Sequence, residues 1–357
     1  MPELTKLDLS IQGIAEYIPP LINTMKELKS LQSLTIPVFR DLSEILPFLS
    51  RHERLKELRI LSKKNQTTIS RFPRFADQAH VYFPALEILD IHASYGAASK
   101  FFCRVIPYLS TIQISTAVHE EPDRVRSLLS KMSTFCPFIT HVSLDIIRGS
   151  AIAQSVSDSQ SNMSSDILRP ILQRSSISSF RIEYCLPISM GLQDITAIAS
   201  AWPQLRVLSL CCDPLLQQST SVKLGLEAIL PFIRHCPEME ELGLFIDTSS
   251  SAIPSTSEID ALPSPFKKLK CLSVGTSEIQ HEGAVAQFLS LICTPGCVVK
   301  YGANWFEDDR NQEEMARRWK AVNDLLPHLF AVRVWYERKM ALNSHNVCSS
   351  CSRFRNE

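Results

Sequence analysis

The chain has 357 residues, 45% of them hydrophobic, which is enough apolar material for a large core and excludes a disordered protein. Its 37 basic residues balance 37 acidic ones, so no net field draws it to nucleic acid or to an anionic membrane surface. Eleven irregularly spaced cysteines, an odd total, and no apolar leader segment argue for free thiols in a reducing compartment, cytoplasm or nucleus, rather than a disulfide framework.

From the first residues onward one short pattern recurs: an apolar residue, two free positions, a second apolar residue, one free position, a third apolar residue. It stands at Leu4, Leu7, Leu9, then at Leu31, Leu34, Ile36, at Leu55, Leu58, Ile60, and at Leu86, Leu89, Ile91. It continues at Leu109, Ile112, Ile114, at Ile139, Val142, Leu144, at Ile177, Phe180, Ile182, and at Leu205, Leu208, Leu210. Met239, Leu242, Leu244 and Leu269, Leu272, Val274 complete ten copies, whose starts lie 23 to 38 residues apart. Within each copy the last two apolar residues are two apart and point to the same side of an extended chain, so each copy predicts a short strand.

Between copies the period changes. Leu192, Ile195, Ile198 and Ala199, or Leu226, Ile229 and Leu230, are three and four apart, the spacing of one helix face. A proline just before the next strand, at Pro84, Pro107, Pro137, Pro203 and Pro237, disfavours helix in the residue before it and releases the chain into extended form. Two stretches break the rhythm: Ser150 to Ser165 reads as an exposed insertion, and Asp247 to Pro265 as a loop replacing most of a helix. The Cys211-Cys212 pair follows the eighth strand, where alternation turns one thiol to the core and the other to the open face.

A strand-helix unit of this size cannot bury its own apolar face, whereas stacked units share a continuous core. The predicted fold class is therefore α/β, a solenoid with a curved parallel sheet on its concave face and helices on its convex face. The solenoid of about ten units covers 1–300, with a concave face about 45 Å across at the usual strand spacing. The first strand begins so close to Met1 that no polar cap precedes it, from which a missing N-terminal segment is expected. At the other end Met315, Trp319, Val322, Leu326 and Leu329 share one helical face, a closing element within 301–340 whose start Asp308 or Asp309 is placed to cap. Residues 341–357 read as a polar tail.

Catalytic signatures are missing from the sequence. The ten glycines form neither GxGxxG nor GxxxxGK, and GxSxG and HExxH are absent. His345, Cys348 and Cys351 are the best metal candidates, but a closed zinc site needs four ligands and no second pair is near. No cofactor and no catalytic residue are expected. The informative positions are the free ones facing the concave side: Asp8, Thr35, Arg59, Asp90, Gln113, Ser143, Arg181, Ser209, Gly243 and Ser273, with His141 on the same side and His92, Glu183 and Tyr184 at strand exits. Such a mixed polar surface suits a protein or peptide partner, and Arg59, Asp90, Gln113, His141, Arg181, Glu183 and Tyr184 are the candidate contacts.

Units such as PALEILDIH (84–92), PQLRVLSLC (203–211) and PEMEELGLF (237–245), with the segment from Trp319 to Arg338, resemble the leucine-rich-repeat portion of fungal F-box proteins over nearly the whole chain. The resemblance implies a non-enzymatic substrate receptor of a cullin-RING ubiquitin ligase, although the F-box itself is not visible in the sequence. A free-standing repeat scaffold or regulator without a ubiquitin link is the alternative.

Overall fold

A computed structural model describes residues 3–9, 15–39, 41–61, 72, 82–147, 163–214, 224–248, 253–302 and 310–351. The strands are β1 (Lys6–Asp8), β2 (Ser33–Pro37), β3 (Glu57–Leu61), β4 (Ile88–His92), β5 (Thr111–Thr116), β6 (His141–Ile146), β7 (Ser179–Ile182), β8 (Val207–Leu210), β9 (Glu241–Leu244), β10 (Cys271–Gly275) and β11 (Val298–Tyr301). They form one parallel sheet of eleven strands in strict chain order, each of β2 to β10 paired with the strand before it and the strand after it. The α helices among the described residues are α1 (Ile18–Glu27), α2 (Ile45–Leu49), α3 (Tyr95–Ala98), α4 (Pro122–Phe135), α5 (Arg169–Leu172), α6 (Leu192–Ala201), α7 (Leu230–His235), α8 (Thr256–Asp260), α9 (Glu282–Ile292) and α10 (Arg310–Cys351). The α/β class read from the sequence is the observed one.

All ten predicted strands are present, and the reason lies in burial. The three apolar positions of each copy from Leu31 to Val274 are at most 2% exposed, and they join the buried sides of the helices in one core. Burying one such side chain contributes about 1.5–3 kcal/mol, so the pattern fixes which face of every strand points inward. A slip of one residue would invert that assignment. In β1 the grip is looser, since Leu4, Leu7 and Leu9 are only partly buried.

The turn into each strand is equally repetitive. Cys136, Trp202 and Cys236 end α4, α6 and α7 with nearly the same backbone angles, φ between −119° and −123° and ψ between 69° and 81°. Each precedes a proline, which bars the helical conformation there. Each still donates its N–H to the carbonyl four residues back, and its own carbonyl accepts from the first apolar residue of the next unit, Ile139, Leu205 or Met239. The preceding-proline signal is thus a hydrogen-bonded turn, and Leu31, Leu55, Leu86, Leu109 and Ile177 donate into the same three-residue turn.

The eleventh strand escapes the sequence pattern. The inward residues are Cys297, just before β11, and Val299 and Tyr301 within it, two apart throughout, because the same three-residue turn, here from Thr294 to Cys297 with Gly296 at φ +88°, is followed by one residue fewer before the strand than in the other copies. Strand β11 also crosses the boundary drawn at 300. Beyond it, α10 runs to Cys351, past the boundary drawn at 340. Trp319, Val322, Leu326 and Phe330 are buried against the last units, with Met315 and Leu329 partly so. The Trp319 indole donates to the Ser277 carbonyl at 2.8 Å, and Asn323 Oδ1 accepts from the Val299 N–H at 3.1 Å, satisfying a donor on the outermost strand.

Within the first rhythm-breaking stretch, residues 150–162 lie outside the described ones, while Met163 is fully buried and Ser164 bridges to Ser189. In the second, α8 keeps five residues of helix, started by Ser255 with a reciprocal bond to Glu258. Asp308 and Asp309 lie outside the described residues, as do the side chains of His345, Cys348 and Cys351.

Candidate partner-binding face

The polar positions predicted from the strand pattern pair with one another directly. Asp8, Thr35, Arg59, Asp90, Gln113, Ser143, Arg181, Ser209, Gly243 and Ser273 stand in unbroken register across the sheet, and Lys300 of β11 extends the row. A second row two residues earlier lies on the same face and includes Lys6, Glu57, His141 and Glu241.

The face is open in its first seven strands, narrows at β8 and β9, and opens again at Ser273 and the exposed Lys300. Arg59, Gln113 and His141 are exposed, Asp90, Ser143 and Arg181 half-buried, and Ser209 is only 4% exposed. Gly243 marks the narrowing: a Cβ there would lie 2.9 Å from Ser209 Oγ, so the position next to Ser209 has no room for a side chain.

Charge on the face is arranged in local pairs. Arg59 binds Glu57 of its own strand at 2.5 Å, and Glu57 also accepts from Ser33 at 2.7 Å. The Ser33 hydroxyl first, and the Arg59 guanidinium with it, holds the Glu57 carboxyl below its ordinary value. Arg181 reaches over β8 to Glu241 at 2.5 Å. Burial raises the Asp90 carboxyl, against the pull of Arg59 and with a further push from Asp145. Burial likewise raises Asp145, against the Ser143 hydroxyl, 3.1 Å away, and Arg181. His141 is shifted down by burial and by Arg206, with its Nδ1 2.8 Å from the Thr140 hydroxyl. Glu183 accepts from Ser209 at 2.8 Å. The centre of the face therefore carries carboxylates in surroundings that disfavour their charge, flanked by two arginines.

Tyr184 is the correction among the candidate contacts. It is 2% exposed, its hydroxyl donates to the Glu120 carbonyl, and it offers no surface to a partner. His92, at 4% exposure, is similarly withdrawn, and burial lowers its imidazole. Both lie at strand exits, where the alternation that governs strands no longer decides direction.

Beneath these exits is a polar cluster that the strand pattern does not reveal. The Glu120 side chain is fully buried; its carboxylate accepts from the Tyr95 N–H at 2.6 Å and from Thr116 Oγ1 at 3.4 Å, with the Arg124 guanidinium 3.8 Å away. Burial raises it despite these partners. With Tyr184 bonded to its carbonyl, Glu120 ties together the exits of β4, β5 and β7 and sets the rim of the face. Its sequence signal is weak, because it sits in a loop between the Thr116 strand end and Pro122.

At the next exit Cys211 has φ +47°, a conformation that non-glycine residues seldom adopt, and its side chain is fully buried. Cys212 is partly exposed, with its sulfur 3.5 Å from Ser209 Oγ on the polar face. The pair divides between core and face, and burial pushes the Cys212 thiol up to about 12 and the Cys211 thiol well above its ordinary value, which leaves little reactive thiolate. Gly275, at φ +50° two strands away, lies so close that a Cβ would sit 1.9 Å from the Cys212 carbonyl oxygen.

No protein-family model and no curated protein matches this chain. Among the described residues no group of three or more His, Cys, Asp and Glu could hold a metal ion, and no helix is long and apolar enough to cross a membrane.

Proposed function

We propose that the chain is a leucine-rich-repeat solenoid acting as a non-enzymatic recognition module, with the polar sheet face as its concave binding surface for a protein or peptide. The observation that carries this reading is the unbroken row of outward residues across all eleven strands, a surface that changes character rung by rung while the inward rows stay uniformly apolar. Arg59, Asp90, Gln113, His141, Arg181 and Glu183 are its contacts; the arginines supply planar donors for carboxylates or backbone carbonyls, and Gln113 lies between the two half-buried carboxylates. On the resemblance of its units, the chain serves as the substrate-receptor part of an F-box-type ubiquitin ligase subunit, in cytoplasm or nucleus.

Affinity purification of the full gene product from its own cells tests both levels. Recovery of a ligase adaptor together with a substrate supports the receptor role, and recovery of other partners without the adaptor supports the free-standing scaffold. Arg59→Glu and Arg181→Glu are expected to lower partner recovery by about tenfold, the effect of 1.4 kcal/mol, while leaving the circular dichroism spectrum unchanged. Undiminished recovery with both variants would remove the face from consideration.

A further inference from the structure

A cavity of about 640 Å³ lies at the β11 edge of the sheet, between the turn that leads into β11 and the second half of α10. It exists because of the way α10 packs. Trp319, Val322, Leu326 and Phe330 are buried against the last units, but from Ala331 to Met340 no residue of the helix is buried. The helix thus runs on past its packing partners, and Phe330, Ala331, Val334 and Trp335 form one wall of the cavity, with Pro295 to Val298 forming another. Trp335 is 55% and Val298 48% exposed, so two large apolar side chains of the lining still face water and would gain from being covered.

Shape and charge restrict what the cavity can hold. Asn323 and Arg338 mark the two ends of its helical wall, fifteen residues apart in α10. At the usual rise of an α-helix that is about 22 Å, so the cavity is a long groove, and its volume falls in the range of small-molecule sites. No carboxylate lines it, and Arg338 brings its only charge. The positions three and four residues from Arg338 are Val334, Trp335, Ala341 and Leu342, so no acidic residue stands where pairing along the helix would need one. The adjacent Glu337 is held by Arg333 at 3.5 Å, and among the described residues Arg338 has no ion pair. At the other end Asn323 Oδ1 already accepts from the Val299 N–H. An unpaired surface arginine is ordinary by itself; at the end of a long apolar groove it sets the charge of what the groove takes.

We propose that this groove binds a long-chain carboxylate. The alkyl chain lies along Phe330, Val334 and Trp335 and covers Val298, and removing these surfaces from water supplies the main attraction. The carboxylate meets the Arg338 guanidinium, whose paired N–H donors match its two oxygens. A single negative charge at one end of a linear apolar body is the pattern of the groove itself. A cationic amphiphile would bring like charge to Arg338, and a compact polar anion would leave the apolar walls uncovered.

Calorimetric titration of the full chain with dodecanoate, kept below the concentration at which it forms micelles, tests the site. Saturable binding at about 1 mM or below is expected, at least about tenfold tighter than that of octanoate. Arg338→Glu should weaken it at least about tenfold by reversing the charge, and Ala331→Trp by filling the groove. Both positions are exposed, so both variants should keep the wild-type circular dichroism spectrum. No saturable binding by the wild type, undiminished binding by either variant, or equal affinity for the two chain lengths overturns the proposal. So does a ligand-free dimer in sedimentation that Ala331→Trp dissociates, because the groove then belongs to a second copy of the chain.

Discussion

Asp90 and Asp145 show what a half-buried face does to individual residues. Both carboxyls are held above their ordinary value by burial, so the folded chain binds protons there more readily than the unfolded chain does. Their contribution to stability is fully present below the unfolded value of 3.8 and is lost as pH rises through the raised folded values. Asp90→Asn combined with Asp145→Asn removes that loss, and the new amide at position 145 can still accept from the Ser143 hydroxyl. The denaturation midpoint of the double variant should therefore gain on that of the wild type between about pH 4 and pH 7; a constant gap would contradict the assignment. Glycines give a second contrast at this scale. Gly275→Ala should cost more than about 2 kcal/mol, since the new methyl meets the Cys212 carbonyl and φ is positive. Gly283→Ala, in α9 with nothing within 4 Å, should be neutral or stabilise by up to about 1 kcal/mol. Chemical denaturation of the two variants distinguishes strain from a general intolerance of substitution. Residues inside strands were legible because alternation alone assigns their side, as with Arg59 and Gln113. Tyr184 and Glu120 were not, because past the strand end direction is set by hydrogen bonds across several loops.

Elements were legible where a local rule sufficed. The strands follow from an apolar spacing that burial enforces, and the helix stops at Pro137, Pro203 and Pro237 follow from the conformation a proline imposes on its predecessor. Strand β11 obeys the same burial rule, but one residue fewer between its turn and the strand changes the spacing from which the other ten are recognised. Helix α10 is legible from its apolar face, yet its role depends on contacts far away in sequence. Trp319→Ala should cost about 3–5 kcal/mol, combining a lost buried ring with an unpaired Ser277 carbonyl. A thermal melt in which this variant is as stable as wild type would show that α10 does not seal the last units.

For the whole molecule the two ends of the sheet differ. At β11 an outward donor is satisfied by Asn323 and the core is closed by Trp319, Val322 and Leu326, whereas the apolar residues around β1 stay partly exposed. Units that contact mainly their neighbours open from the weaker end. Amide hydrogen exchange should therefore be fastest in β1 and β2 and at least about tenfold slower in β5 to β7, with β11 protected by its cover. Uniform exchange along the sheet would mean that the chain opens as one cooperative block. The narrow point of the polar face at Ser209 and Gly243 leaves Arg59, Gln113 and His141 accessible on one side of it.

The unbroken register of the outward row restricts how this chain can change in length. Removing a single residue inside a strand would turn its apolar side chains to solvent from that point to the strand end. Excising everything from one turn to its counterpart, Leu205 to Glu238 for example, would rejoin two equivalent positions and leave every remaining pair in place. The sheet can thus lengthen or shorten only in whole steps, each adding or deleting one rung of the outward row and one layer of core together, whereas the segments between strands vary in length without disturbing it.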